Sequence, residues 1–351
     1  LAVAGSHLPA SVHLLTYKIN QVLGNHGTCL DYLQIEDSAG DLSSLCESLE
    51  NKDIDTLIFL GGNPVYHCPS IDWADLIKNT SSTYRLGASI DETSQLCDYH
   101  TGQSHFLECW DIGNTWTQDA YAPTQPLLAP IFDTLSDLEL LSSVLGEIKN
   151  SHDIVRSYFE EIPDISENFE NFLKHGVSPA KSASLKDLPY ADTAILKIEG
   201  DQIEISASSL EVLLVPDFHT WDGQFSNNGW MMECPHPITK LTWDNAILIS
   251  PVLAKQLESK HPDLGLLPKA TMLNKNGQIA PDAAVFQDGK QKAPIVTLDV
   301  GDHHQITAPL YVQPGLADYT VVSTIGQGRS RVGRVGSGTG FNACTLLHSD
   351  S

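Results

Sequence analysis

No run of apolar residues in this sequence approaches the roughly 20 that a membrane-crossing helix needs, so no direct membrane span is expected. Cysteine is sparse and badly spaced for chemistry. The seven cysteines contain no CxxC pair, which fits neither a disulfide framework nor the closely spaced thiolates of an iron–sulfur cluster. Positive charge is scarce too: 20 Lys and Arg stand against 44 Asp and Glu, a formal net charge of -24. A surface of that sign repels nucleic acid and anionic lipid headgroups, so neither is expected as a partner. There is no GxSxG nucleophile elbow, no Walker loop, and no dinucleotide fingerprint following a strand. No signal-peptide pattern opens the chain. Its first five residues, LAVAG, read as a core strand, so the chain is expected to begin partway through a larger protein.

What is present is unevenly distributed along 351 residues. Residues 1–205 hold 31 acids and 10 bases, whereas residues 206–351 hold 13 acids and 10 bases, which suggests two units with different surroundings. The first part alternates strand and helix patterns. Strands are expected at 1–5, 29–34, 55–60 and 84–90, and helices at 9–23, 42–51, 73–78, 134–149 and 153–175. In the first helix Val12, Leu15, Ile19 and Val22 recur at helical spacing. Such alternation argues for an α/β layer with a parallel sheet, whose ligand-binding edge lies where strands end, here near 61–66 and 91–93. The Ser-, Lys- and Ala-rich stretch 176–188 reads as a linker. Beyond it, short β-type runs at 194–198, 202–205, 211–215, 293–298, 305–310 and 320–323 surround one helix at 251–258, as in a compact barrel. The expected organisation is an α/β domain over 1–175, a linker with connecting strands over 176–205, and a β-barrel domain over 206–351.

Three constellations could carry chemistry. The stretch 222–245, DGQFSNNGWMMECPHPITKLTWDN, sets paired amides, Asn227 and Asn228, among Trp230, Trp243 and Asn245. Amides and aromatic faces can hold a flat polar heterocycle, or can equally satisfy a proline-rich connection from within. In the tail, Gly326, Gly328, Gly333, Gly336, Gly338 and Gly340 surround Arg329, Arg331 and Arg334. Glycines let backbone amides approach an anion and arginines pair with phosphate, so a phosphate site, a loop ordered by internal contacts and a docking surface all fit. Cys97, His100, His105 and Cys109 form CxxH followed by HxxxC, a ligand set that zinc could use, but with a gap far shorter than in zinc fingers. Asp91 and Glu92, after a strand, suit either a ligand or a helix cap. His303 and His304 beside Asp302 read as an exposed turn pair.

The 222–245 stretch resembles the start of the C-terminal barrel of the molybdopterin oxidoreductases, the dimethyl-sulfoxide-reductase superfamily. More closely it is similar to the B subunit of alternative complex III, a bacterial quinol-oxidising respiratory complex. Segments 3–28, 60–70 (LGGNPVYHCPS), 91–110, 125–130 and 314–342 (PGLADYTVVSTIGQGRSRVGRVGSGTGFN) resemble that family in the same order. The resemblance implies a Rossmann-like parallel-sheet domain followed by a six-stranded double-psi β-barrel. It further implies a scaffold fragment without molybdenum cofactor or catalytic residues, with iron–sulfur clusters elsewhere in the parent subunit. Partners would be a membrane quinol-binding subunit and cytochrome c-type subunits, on the periplasmic face of the bacterial inner membrane. The alternative implication is the C-terminal half of a catalytic polysulfide- or thiosulfate-reductase-type enzyme. There Asn227, Asn228, Arg329 and Asn342 would line a molybdopterin guanine dinucleotide.

Overall fold

The structure is a computed structural model that describes residues 1–5, 8–32, 40–115, 120–163, 165, 167–179, 205–264, 266, 286–287, 290–291, 293–301 and 304–347. The chain forms two compact units, one of residues 1–42 and 103–202, the other of 43–102 and 203–351. Residues 43–102, expected to share a domain with the rest of 1–175, therefore belong with the C-terminal part. The reason lies in the loops after the strands of 43–102, which are bonded to the glycine-rich tail. The expected linker falls largely outside the described residues, as do the strand expected at 194–198 and all but the last residue of 202–205.

The second unit opens with a parallel three-stranded sheet in the order Thr56–Leu60, Ser82–Gly87, Tyr99–Gly102. Short helices Leu42–Glu50 and Trp73–Ile77 cover it, and Leu49, Leu57, Phe59, Trp73 and Ile77 form its core. Asp72 caps the second of these by accepting from the Asp75 N–H. The strand Tyr99–Gly102 has no apolar alternation (YHTG) and is joined by register alone, with Tyr99 stacked on Tyr84 at 4.9 Å. The remainder of the unit carries a five-stranded mixed sheet ordered Ile295–Val300, His304–Val312, Ile247–Ile249, Thr320–Ile325, Glu211–Pro216. Its outer pairs are antiparallel at one edge and parallel at the other. Helix Pro251–Lys260, capped by Ser250, lays Leu253 and Ala254 against Ile247, Ile249, Ala308, Leu310 and Val321. Each such buried Leu, Ile or Val side chain contributes about 1.5–3 kcal/mol. The architecture is mixed α/β, as expected. Among the described residues the sheet has five strands rather than six.

The first unit differs more from expectation. Residues 1–5 are not a strand. The Ala2 backbone instead exchanges two hydrogen bonds with the side-chain amide of Asn20, at 2.9 and 2.8 Å. Asn20 is the buried residue of helix Ala10–Val22, while Leu15, Ile19 and Val22 of its apolar stripe are exposed. Pro9 takes the N-cap position rather than the first turn. Turns and a single bridge between His26 and Leu30 replace the start of the strand expected at 29–34, whose last two residues lie outside the described set.

The helix expected over 153–175 is two, Ser151–Glu161 and Phe169–His175, because Pro163 forces Ile162 into extended backbone (φ -65°, ψ 121°). Helix Asp137–Val144 is fixed by a capping box between Ser136 and Glu139. These helices pack Val155, Phe159, Phe169 and Phe172 into a core beside the antiparallel strands Asp111–Asn114, Ala120–Thr124 and Ser178–Pro179. Phe159 and Phe172 stack at 4.2 Å.

Candidate functional site

The loops that follow the first two parallel strands of the second unit, Thr56–Leu60 and Ser82–Gly87, meet the tail, and the site is built there. Strand Thr56–Leu60 runs into Gly61 and Gly62, both with positive φ (58° and 47°), a conformation that favours glycine. This turn aims two carbonyls at Arg85, which is buried and donates to both. Arg85 also pairs with Asp91 at 2.6 Å. Asp91 accepts from the N–H and hydroxyl of Ser94, each at 2.8 Å, and that hydroxyl meets His100 Nδ1 at 3.1 Å. Burial pushes the Asp91 carboxyl up, yet the bonds from Arg85 and Ser94 outweigh it and hold the group below the usual carboxylate range.

The neighbouring carboxylate, Glu92, faces the tail. It accepts from Asn63 Nδ2 at 2.7 Å, from Arg329 Nε at 3.1 Å and Nη2 at 2.8 Å, and from the N–H groups of Ser330 and Arg331 at 2.8 and 3.0 Å. The Ser330 hydroxyl adds a longer contact at 3.3 Å. Burial opposes the charge, but the Arg329 bond, the Arg331 N–H and Asn63 together lower the Glu92 carboxyl to about 2. Arg329 is itself fixed from other sides. It donates to the Gly223 carbonyl at 2.8 Å and lies 4.8 Å from the centre of the Tyr66 ring. The Tyr66 hydroxyl, pushed upward mainly by burial, donates to the Gln327 carbonyl at 2.6 Å and accepts from Gly326 N–H at 3.0 Å.

The four residues expected to line a dinucleotide are all in this unit, each with at least one side-chain polar atom engaged by the chain. Asn227 Oδ1 accepts from Val335 N–H at 3.0 Å. Asn228 caps helix Gly229–Glu233 by accepting from Trp230 and Met231. Asn342 accepts from Cys344 N–H and donates to the Tyr66 carbonyl at 3.2 Å. Arg329 holds Glu92. Asn245 pins the tail through Phe341, donating to its carbonyl and accepting from its N–H at 3.0 and 2.9 Å. Asp91 and Glu92 thus prove to be internal counter-ions. Asn63 and Tyr66 lie within the 61–66 edge expected from the sequence, though neither was singled out there, and Arg85 escaped the sequence reading although a charge inside a strand marks it.

Two cavities lie in the same unit. One, about 40 Å³, is lined by residues drawn from 217–248 together with Thr324 and Gln327, among them Asp217, His236, Trp243 and Asp244. Burial raises the Asp244 carboxyl and lowers His236. That volume admits a water molecule or two, against roughly 300–1,000 Å³ for small-molecule sites. The other, about 760 Å³, is walled mainly by core aliphatics such as Ile249, Leu253 and Leu298, with Lys260, His261 and Thr297 also lining it and, among the described residues, no carboxylate or amide.

The cysteine–histidine set is divided between the units. Cys97 and His100 belong to the second, where burial pushes the thiol up to about 11 and lowers the imidazole. His105 and Cys109 belong to the first, where Cys109 donates to the His105 carbonyl at 3.5 Å. Among the described residues no three His, Cys, Asp or Glu side chains are grouped to hold a metal ion. His304 meets the Thr345 carbonyl at 2.9 Å, while Asp302 and His303 lie outside the described residues.

No protein-family model matches the chain, and no curated protein matches it. Among solved structures it is similar in fold to acetylene hydratase from Pelobacter acetylenicus, with a TM-score of 0.57 at 13% sequence identity. The likeness covers 88% of this chain and 43% of the hydratase chain, so this chain spans less than half the length of that enzyme.

Proposed function

We propose that this chain is a scaffold domain of a respiratory oxidoreductase subunit of the molybdopterin-oxidoreductase superfamily, close to the B subunit of alternative complex III. In this reading the five-stranded sheet belongs to a double-psi barrel, and the domain transfers no electrons itself. It holds neighbouring parts of a quinol-oxidising membrane complex in place, on the periplasmic face of the bacterial inner membrane. Iron–sulfur clusters sit elsewhere in the parent subunit, beside a quinol-binding membrane subunit and cytochrome c-type subunits. The likeness in fold to acetylene hydratase supports the superfamily. The observation that carries the scaffold role is the engagement of Glu92: the tail donors best suited to a phosphate, Arg329 and two successive N–H groups, already hold a carboxylate of the chain.

The second reading is the C-terminal half of a catalytic enzyme that binds a molybdopterin guanine dinucleotide, and the fold of a complete enzyme with this arrangement favours it. The residues do not fit that group as they stand. Arg329 and Asn342 would each have to give up a bond to the chain, the side-chain oxygens of Asn227 and Asn228 are already taken, and the polar cavity is too small. Metal and pterin analysis of the intact parent subunit separates the two. Iron without molybdenum, tungsten or pterin is the expected result, and one molybdenum or tungsten per chain would overturn the scaffold role.

A further inference from the structure

The arrangement around Glu92 has the chemistry of a ligand site whose ligand is covalently attached. Five of its donor groups are strong: Asn63 Nδ2, two nitrogens of the Arg329 fork, and the successive N–H groups of Ser330 and Arg331. Successive backbone N–H groups converging on one oxygen make an anion-binding nest, and the guanidinium fork matches the two oxygens of a carboxylate. The donors are also positioned without Glu92. Arg329 is held by the Gly223 carbonyl and the Tyr66 ring, and Asn63 Oδ1 accepts from Thr93 Oγ1 at 2.6 Å. Ser226 Oγ fixes the entrance of the tail by donating to the Gly326 carbonyl at 2.6 Å.

We infer that Asn63 and the 329–331 turn form a carboxylate-binding socket, natively closed by the tethered carboxylate of Glu92. Its ligand class is a small monocarboxylate. Glu92→Ala deletes one methylene carbon, the carboxyl carbon and both oxygens, which are the heavy atoms of an acetate ion. The vacancy is therefore acetate-sized, and tetrahedral phosphate, with more oxygens than the fork and nest can meet, fits it less well. Arg329, with its side chain 5% exposed, would be left as a buried cation without a counter-ion, which makes the empty socket demand an anion. In the native protein the tether gives Glu92 an effective concentration that a free acid at ordinary levels does not match. The socket thus works as a latch that fastens the 326–342 tail to the turn at 91–94. This inference goes beyond the scaffold role and rests on it in one respect, that Arg329 holds Glu92 and not a dinucleotide.

The test compares native protein, Glu92→Ala and Glu92→Gln, each titrated with sodium acetate, sodium phosphate and sodium chloride at matched ionic strength. Thermal melting and circular dichroism are the readouts. Glu92→Gln is the filled-socket control, since it removes the charge without opening the space. The expected result is a saturable rise in the Glu92→Ala melting temperature with acetate, smaller with phosphate and absent with chloride. At acetate a hundredfold above its Kd, the ratio of folded to unfolded protein rises about a hundredfold. Native protein and Glu92→Gln should show none of this. Should Glu92→Ala be unfolded in chloride and fold in acetate, the inference stands. If it stays unfolded in all three salts, melts alike in all three, or is matched by Glu92→Gln, the inference fails. None of these outcomes bears on the metal analysis that tests the scaffold role.

Discussion

Substituting Glu92 by glutamine makes stability itself report the latch. A carboxyl at 4.5 in the unfolded chain and about 2 in the folded one is held ionised by folding. The difference corresponds to about 3 kcal/mol at about 1.4 kcal/mol per pH unit. The sign follows from the depressed value. The contribution is complete above about pH 4.5, shrinks as the pH falls, and is gone once it has passed through about 2. An independent figure comes from breaking a buried ion pair, about 3–5 kcal/mol. Glutamine keeps the shape and one acceptor, which favours the lower end. Urea unfolding of native protein and Glu92→Gln, followed at the transition of the unit containing 43–102 and 203–351, measures the difference at a series of pH values. Asp91 is also held low, by Arg85 and Ser94, but it is present in both proteins and cancels. We expect a gap of about 3 kcal/mol at neutral pH that closes towards pH 2. A gap independent of pH, or one below about 1 kcal/mol at pH 7, the level of a neutral hydrogen bond, would refute the reasoning.

Two further substitutions probe the packing. A Cβ added at Gly336 would land on the Ser226 carbonyl group, whereas one at Gly113 meets nothing within 4 Å. Gly336→Ala should cost about 1–3 kcal/mol in chemical denaturation as an overpacked site. Gly113→Ala should fall within about 0.5 kcal/mol, and equal effects would contradict the tail geometry. Phe172→Ala removes a fully buried ring stacked on Phe159 and should cost about 3–5 kcal/mol. That loss should appear in the first unit's transition and leave the second unchanged by differential scanning calorimetry. A shift of both transitions together would contradict the division into two units.

The parts of the fold that were legible in the sequence are those where one physical signal dominates. Strand Thr56–Leu60 is an apolar run ending in two glycines, and the next parallel strand, Ser82–Gly87, begins two residues earlier than expected. Ser250 before Pro251 marks a helix start, and the helix begins there. Strands Ile247–Ile249 and Tyr99–Gly102 escaped because three residues give no period, and YHTG has no apolar face to alternate. Helix Ala10–Val22 shows the opposite failure. Its apolar stripe fixed the helix correctly but not its buried side, which is set by Asn20 bonding the Ala2 backbone. Periodicity speaks to local conformation. What a face packs against is a tertiary fact.

The candidate site sharpens that distinction. Arg329 was legible as an anion-binding side chain, but its anion lies 237 residues away in sequence and is reached only through the fold. Among the 222–245 amides, the two that looked most like a ligand cradle, Asn227 and Asn228, serve Val335 and a helix N-terminus. This outcome has a general cause. A stretch such as 326–342 has no ladder or helix to satisfy its backbone groups, so buried N–H and carbonyl groups there require side-chain partners. Asparagine, serine and arginine set among glycines are what any such ordered loop needs, whether or not it also grips a phosphate. Residue types at that spacing therefore cannot separate a cofactor cradle from a self-supporting loop. The separating quantity is how many donors remain after the chain has satisfied itself. At Glu92 the strongest of those donors are taken by the chain's own carboxylate, which is why the geometry favours a latch over a cradle.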